Sequence, residues 1–255
     1  MNDYRCRDDG YCCLSWLYEN NPVQNATVIE TANKTDAIKE SFLLFTEELE
    51  NDIFKFYEAH ESGFDQYRIH GRMHVARAVI FSEVMSRYFQ SKGESIDFDY
   101  VRRMTGLHDA GREGNGLDRW ENQSADLLYQ HLKLKGMPHD QAYQKSRNII
   151  KATADNSIEY QIFQSADCID IMRPCTGRGG REGFNSAFLS FLKDSHDAED
   201  VKFREDLIEE AWDFIKISEA KKFSDFKDSQ GFMKKLFQII DHDRNSFKIL
   251  SSILD

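Results

Sequence analysis

The chain has 255 residues, of which 40% are hydrophobic, 13% aromatic and 30% charged; this excludes wholesale disorder and suffices for one large domain with a buried core. Lys+Arg 33 against Asp+Glu 44 leaves a net charge of −11, which argues against a duplex nucleic-acid module, because such a module needs a basic face. With 3 prolines and long Pro-free stretches rich in Leu, Phe, Glu and Lys, the composition favours an all-α chain.

The opening MNDYRCRDDG carries acids and lacks an apolar core segment, so no secretory signal is expected. No apolar run approaches the ~18 residues of a membrane span. The 5 cysteines are odd in number, Cys12 and Cys13 are adjacent, and C-x2-C spacing is absent. A reducing, cytoplasmic compartment is therefore expected, with no cysteine metal site.

Residues 1–34 show weak periodicity and read as an N-terminal wrap. From Thr35, Ile38, Phe42, Phe45, Leu49, Ile53 and Phe56 recur at helical spacing and predict one six-turn helix. Gly63 and Gly71 bracket a turn. A second helix is expected from about Arg72 to Gln90, and a third, capped by Asp97, leads straight into His108-Asp109. The loop GREGNGLD follows. Further helices are expected over about 120–135, 140–154 and from Ile158 to near Arg173-Pro174. The glycine-rich 175–183 reads as a loop, and C-terminal helices are expected at about 184–193, 201–220, 224–240 and 246–254. With no repeat and no linker, the reading is a single domain over 1–255: the wrap, a catalytic core at 68–173 and C-terminal helices over 184–255.

Histidines and acids on four separate segments carry the chemistry. His70 and His74, four apart, share one helix face. His108-Asp109 ends the third helix, and Asp167 lies among apolar residues of the sixth, where an unpaired acid is costly. His and carboxylate are donors for a borderline divalent ion, and imidazoles near neutrality can act as nucleophile, base or acid. Arg77 and Arg112 could clamp a phosphate, and Arg178 and Arg181 could close over a substrate. His131, His139, His196 and His242 read as surface residues.

The ordered set His74, His108-Asp109 and Asp167 resembles the HD-domain phosphohydrolases, all-helical enzymes that cleave phosphate esters; HVARAV, LHDAGRE and SAD carry the likeness over about residues 68–173. A narrower set, IHGRMHVARA, HDAGREGNGLDRWENQSA and SADCIDIMR, resembles the phosphodiesterase domain of the SidE-type effectors of Legionella. That resemblance implies an HD-like helical bundle with additional C-terminal helices. The implied activity is on ADP-ribose or phosphoribosyl linkages of modified ubiquitin, by a histidine nucleophile, a glutamate and a second histidine, with no obligatory cofactor. The glutamate maps onto Glu113 and the first histidine onto His70 or His74. The second has no counterpart between Ile149 and Pro174, where Asp155, Asn156 and Asp167 stand instead.

The expectation is thus a hydrolase of phosphoribosyl- or ADP-ribose-bearing substrates using His70, His74, His108, Asp109, Glu113 and Asp167, delivered into a host cytoplasm if the resemblance holds. No duplex nucleic acid or membrane partner is expected. Two alternatives stand beside it. One is a metal-dependent HD nucleotidase or phosphohydrolase with a divalent ion on His74, His108, Asp109 and Asp167. The other is a degenerate module that binds ADP-ribose or ubiquitin without turnover.

Overall fold

The structure, a computed structural model, describes residues 36–65, 69–115, 119–155, 157–170, 198–220, 231–242 and 246–253. Among these no strand occurs, and the chain is all-α, as its composition predicts. The expected N-terminal wrap and the loop holding Arg178 and Arg181 lie outside the described residues, as does the predicted 184–193 helix.

Helix α1 (Asp36–Glu48) passes through a π-helical turn at Leu49–Ile53 into α2 (Phe54–Ser62). The predicted six-turn helix is therefore interrupted; the wider turn still buries Leu49 and Ile53, so the apolar stripe survives it. Helix α3 (Arg72–Ser91) is the central rod, buried from Arg72 to Phe89 on all sides. Its apolar members, Val75, Val79, Ile80, Phe81 and Met85, are fully buried, each contributing about 1.5–3 kcal/mol. It packs chiefly on α4 (Phe98–Leu107) and α7 (Ile158–Asp170).

Helix α4 starts where the sequence predicts, with the Asp97 carboxylate accepting the Tyr100 N–H at 3.1 Å. Helix α5 (Glu121–Leu134) follows the glycine loop, and α6 (His139–Ser146) ends in a 3-10 turn at Arg147–Ile149. The helix expected to reach Ala154 stops there, because Asn148 turns back to accept the Asp155 N–H. Helices α8 (Ala198–Ala220), α9 (Phe232–His242) and α10 (Lys248–Ser251) close the bundle, with Phe203, Phe214, Phe232 and Phe247 fully buried. His131 corrects its surface reading: it is buried and pairs with Glu48 at 2.6 Å. No helix among the described residues is long and apolar enough to cross a membrane.

Candidate active site

Two backbone devices aim the first histidines. The buried Asp65 carboxylate accepts the N–H groups of Ile69 and His70, both at 2.8 Å. At the α3 N-terminus Gly71 offers no capping side chain, so Glu61 accepts the Arg72 N–H at 2.8 Å and places negative charge on the helix end. A Cβ on Gly71 would come within 2.5 Å of that Glu61 oxygen. His74 then points inward from the first turn of α3.

His108 is the C-terminal residue of α4, and Asp109 opens the turn beyond it. Two contacts hold this corner. The buried Tyr57 hydroxyl donates to the Gly106 carbonyl at 2.8 Å. Gly111 is pressed so closely on the start of α5 that a Cβ would lie 2.4 Å from the Ser124 nitrogen. Asp167 and Asp170, three apart on α7, face the same centre.

Four atoms converge there: Nε2 of His74, Nε2 of His108, Oδ2 of Asp109 and Oδ1 of Asp167. The two ring nitrogens are 3.1 Å apart. His74 lies 3.6 Å from Asp109 and 3.4 Å from Asp167, and His108 lies 3.6 and 3.3 Å from the same two oxygens. Beside them, His70 Nδ1 is 2.8 Å from Asp109 Oδ2, and Arg112 donates to Asp109 Oδ1 at 2.9 Å. Of the cluster, Asp167 and His70 are the most exposed side chains, at 23% and 15%, so its open side lies along them.

The partners dictate the protons. His108 Nδ1 faces the Thr105 carbonyl at 2.7 Å, an oxygen that only accepts, so Nδ1 carries a hydrogen. His74 Nδ1 faces the Asp170 carboxylate at 2.6 Å and carries one for the same reason. Both outer nitrogens being donors, the two inner nitrogens would meet as bare lone pairs unless a small cation lies between them. A shared proton or a metal ion meets that need. Three carboxylates (Asp109, Asp167, Asp170) face two guanidiniums (Arg77, Arg112), which leaves one negative charge for such a cation to balance.

Electrostatics agree. Burial alone would lower His108, yet the charges of Asp109 and Asp167 and the Thr105 bond lift it to about 9. His74 is raised against burial by its bonds to Asp109 and Asp170. His70 goes the other way: burial outweighs the pull of Asp109, and its imidazole is driven toward the neutral form. Burial opposes the charge on Asp109, but Arg112, His108 and His70 hold its carboxyl well below the usual range. Asp167 is lowered against burial by His108 and His74. The Nδ1 of His70 is taken by Asp109, while its Nε2 is buried and makes no hydrogen bond.

The structure thus brings together His70, His74, His108, Asp109 and Asp167 from segments far apart in sequence. Glu113 does not join them: it is exposed, on the loop four residues past Asp109. Arg77 is corrected as a phosphate clamp, because it is fully buried and its Nε and Nη2 both donate to Asp170. Arg112 is buried against Trp120 with its Nε on Asp109, so it acts first as that carboxylate's partner. Asp155 lies elsewhere, accepting the Ser157 N–H. Sequence reasoning missed Asp170, Asp65 and Tyr57. For Asp170 a signal was present, an acid three residues after Asp167 in the apolar SADCID stretch.

The cluster also offers donors for a metal ion, as two three-donor groups that share His74: His74, His108 and Asp167, and His70, His74 and Asp109. A tetrahedral ion with bonds of about 2.0–2.1 Å has donor–donor edges of about 3.3 Å, and the first group's separations run from 3.1 to 3.4 Å. His74, His108 and Asp167 would be the ligands, with Asp170 and the Thr105 carbonyl orienting the two rings from behind; Asp109, expected as a fourth, groups instead with His70.

The ends and inner faces of three helices of the bundle thus build one buried His/Asp cluster. The chain matches the SidE phosphodiesterase (PDE) domain family over residues 45–231 and belongs to it. Comparison with curated proteins and with solved structures gave no match.

Proposed function

We propose that this phosphodiesterase hydrolyses a phosphate linked to ribose, in an ADP-ribosyl or phosphoribosyl group, including one carried on ubiquitin. One observation carries the reading: of the three imidazoles in the cluster, His70 alone keeps a ring nitrogen with no hydrogen bond, while the Nε2 atoms of His74 and His108 face each other at 3.1 Å, a spacing at which this reading places a shared proton. Groups driven apart in protonation within one site divide into base or nucleophile and acid.

In this reading Nε2 of His70 attacks phosphorus, and Asp109 stabilises the imidazolium that forms through its bond to Nδ1. The N–P bond forms as the P–O bond to the leaving group breaks. The departing oxygen takes the proton shared by His74 and His108. Water then cleaves the phosphohistidine, and the proton it loses returns to the pair. His108 thereby fills the role of the second histidine that has no counterpart between Ile149 and Pro174. Glu113, Arg178 and Arg181 are assigned to contacts with the rest of the substrate. Family membership supports delivery as a secreted effector working in a host cytoplasm.

The test is incubation of the purified protein with ADP-ribose, NAD, cyclic nucleotides and ADP-ribosylated ubiquitin, with and without chelator. The expected result is cleavage of the ADP-ribosyl phosphate in both conditions, with an acid-labile phosphate adduct on His70. Both should vanish in His70→Ala, a rate loss on the order of 10³-fold or more. No turnover of any substrate sinks the reading.

The close three-donor group of His74, His108 and Asp167 favours a second reading, a metal-dependent phosphohydrolase. A bound divalent ion would supply Lewis acidity and an activated water. Stoichiometric transition metal in the untreated protein, with activity lost to chelator and restored by its return, would establish it.

A further inference from the structure

Behind His74, at its outer ring nitrogen, stands a buried ion pair. Asp170 and Arg77 are both fully buried, at 0% exposure, and joined by two hydrogen bonds, from Arg77 Nε to Oδ1 and from Nη2 to Oδ2 at 3.2 Å. The second carboxylate oxygen also accepts His74 Nδ1. Such a pair is poor evidence of stability, because desolvating two charges costs several kcal/mol that their attraction only offsets. Its arrangement has another consequence. A carboxylate cannot donate, so His74 must present a hydrogen on Nδ1 and keep Nε2 for the centre of the cluster. Arg77 occupies both Asp170 oxygens and prevents the carboxylate from rotating or protonating away.

We infer that Asp170, held by Arg77, is a positioning residue that fixes the tautomer of His74, with the hydrogen on Nδ1 and the Nε2 lone pair turned to the centre of the cluster. The inference rests on the phosphodiesterase reading for its kinetic consequence, but not for its structural one. The two residues lie 93 positions apart in sequence, on α3 and α7, and Asp170 Oδ2 thus ties the helix bearing the first histidine to the helix bearing Asp167.

Asp170→Asn separates this role from mere support. A carboxamide turns its oxygen to Arg77 and its NH2 to His74, which must then accept on Nδ1 and carry its hydrogen on Nε2. Volume is kept, while the direction of one hydrogen bond is reversed. The expected result is a kcat lower by about 10²-fold or more with KM little changed, since orienting carboxylates behind a histidine act at this scale. Long-range 15N–1H spectra of the histidine rings give the readout that a structural role would not move: His74 should be Nδ1-protonated in the wild type and Nε2-protonated in the variant. Arg77→Lys, which keeps the Asp170 charge, should retain the wild-type tautomer and lose less activity.

A wild-type His74 bare on Nδ1 overturns the inference outright, whether or not any variant folds. So does a folded Asp170→Asn protein with wild-type kcat. A wild-type spectrum with Nδ1–H, from a protein that turns over none of the phosphate esters above, upholds the positioning and refutes only the proposed reaction.

Discussion

Asp109→Asn is the most revealing single change, because the structure ranks it against a chemically identical change 58 residues on, Asp167→Asn. Asp109 is 4% exposed and meets four groups: His70 at 2.8 Å, Arg112 at 2.9 Å, and His74 and His108 at 3.6 Å each. Asparagine keeps the shape but removes the charge, leaving the buried Arg112 guanidinium without its carboxylate partner. Stripping one partner from such a buried pair costs about 3–5 kcal/mol, which for a chain of this size lowers Tm by roughly 6–20 °C. Asp167 is 23% exposed and faces only the two imidazoles, at 3.4 and 3.3 Å. Water reaches it, so its loss should cost about 1 kcal/mol. Thermal unfolding of the two variants in parallel measures the difference. If Asp167→Asn falls as far as Asp109→Asn, or if Asp109→Asn melts with the wild type, the charge balance derived for the cluster is wrong.

Two further changes test the scaffold. Gly111→Ala places a Cβ 2.4 Å from the Ser124 nitrogen and 2.6 Å from Gln123, and strains the Gly111 N–H bond to Ser124 at 3.0 Å. The displacement should cost about 2–4 kcal/mol in urea unfolding and lower turnover with it, because the same turn carries His108-Asp109; an unchanged midpoint would contradict the close approach. Glu48→Gln should destabilise by about 2 kcal/mol near pH 7, since Glu48 joins Arg103 at 2.9 Å, His131 at 2.6 Å and Lys135 at 2.9 Å. Burial opposes its charge, but these partners hold its carboxyl well below the usual glutamate range. A depressed folded-state value means stability present above the unfolded value, 4.5, and lost as pH falls through the folded one. The gap between wild type and Glu48→Gln should therefore shrink in acid, and a gap that widens there would reverse the sign of the argument.

Helix positions were largely legible because burial imposes a period. Phe42, Phe45, Leu49 and Ile53 announce their face whatever they pack against, and Asp97 announces a helix start by its own local bond. The π-turn at Leu49–Ile53 was not legible, since the extra residue per turn leaves the apolar spacing almost unaltered. The end of α6 was hidden for a different reason, because Asn148 acts there through a side-chain bond rather than through composition.

Site residues divide along the same physical line. His70, His74, His108, Asp109 and Asp167 stand out as polar groups in or beside the ends of apolar helices, where only function or pairing repays their burial. Pairing itself is a relation between distant residues and has no local trace. Arg77 looked available because the nearest acid in sequence is Glu83, whereas its partner is Asp170, across the bundle on α7. Asp170 was passed over because Asp167 already explained an acid in that segment. One helix turn separates them, yet Asp167 faces the reacting centre and Asp170 the back of His74. Two carboxylates on one stripe of α7 therefore grip opposite nitrogens of the same ring. Of these two contacts the shorter, from Asp170 at 2.6 Å, holds the hydrogen of His74 on Nδ1, whereas His70 has a ring nitrogen, Nε2, that makes no hydrogen bond.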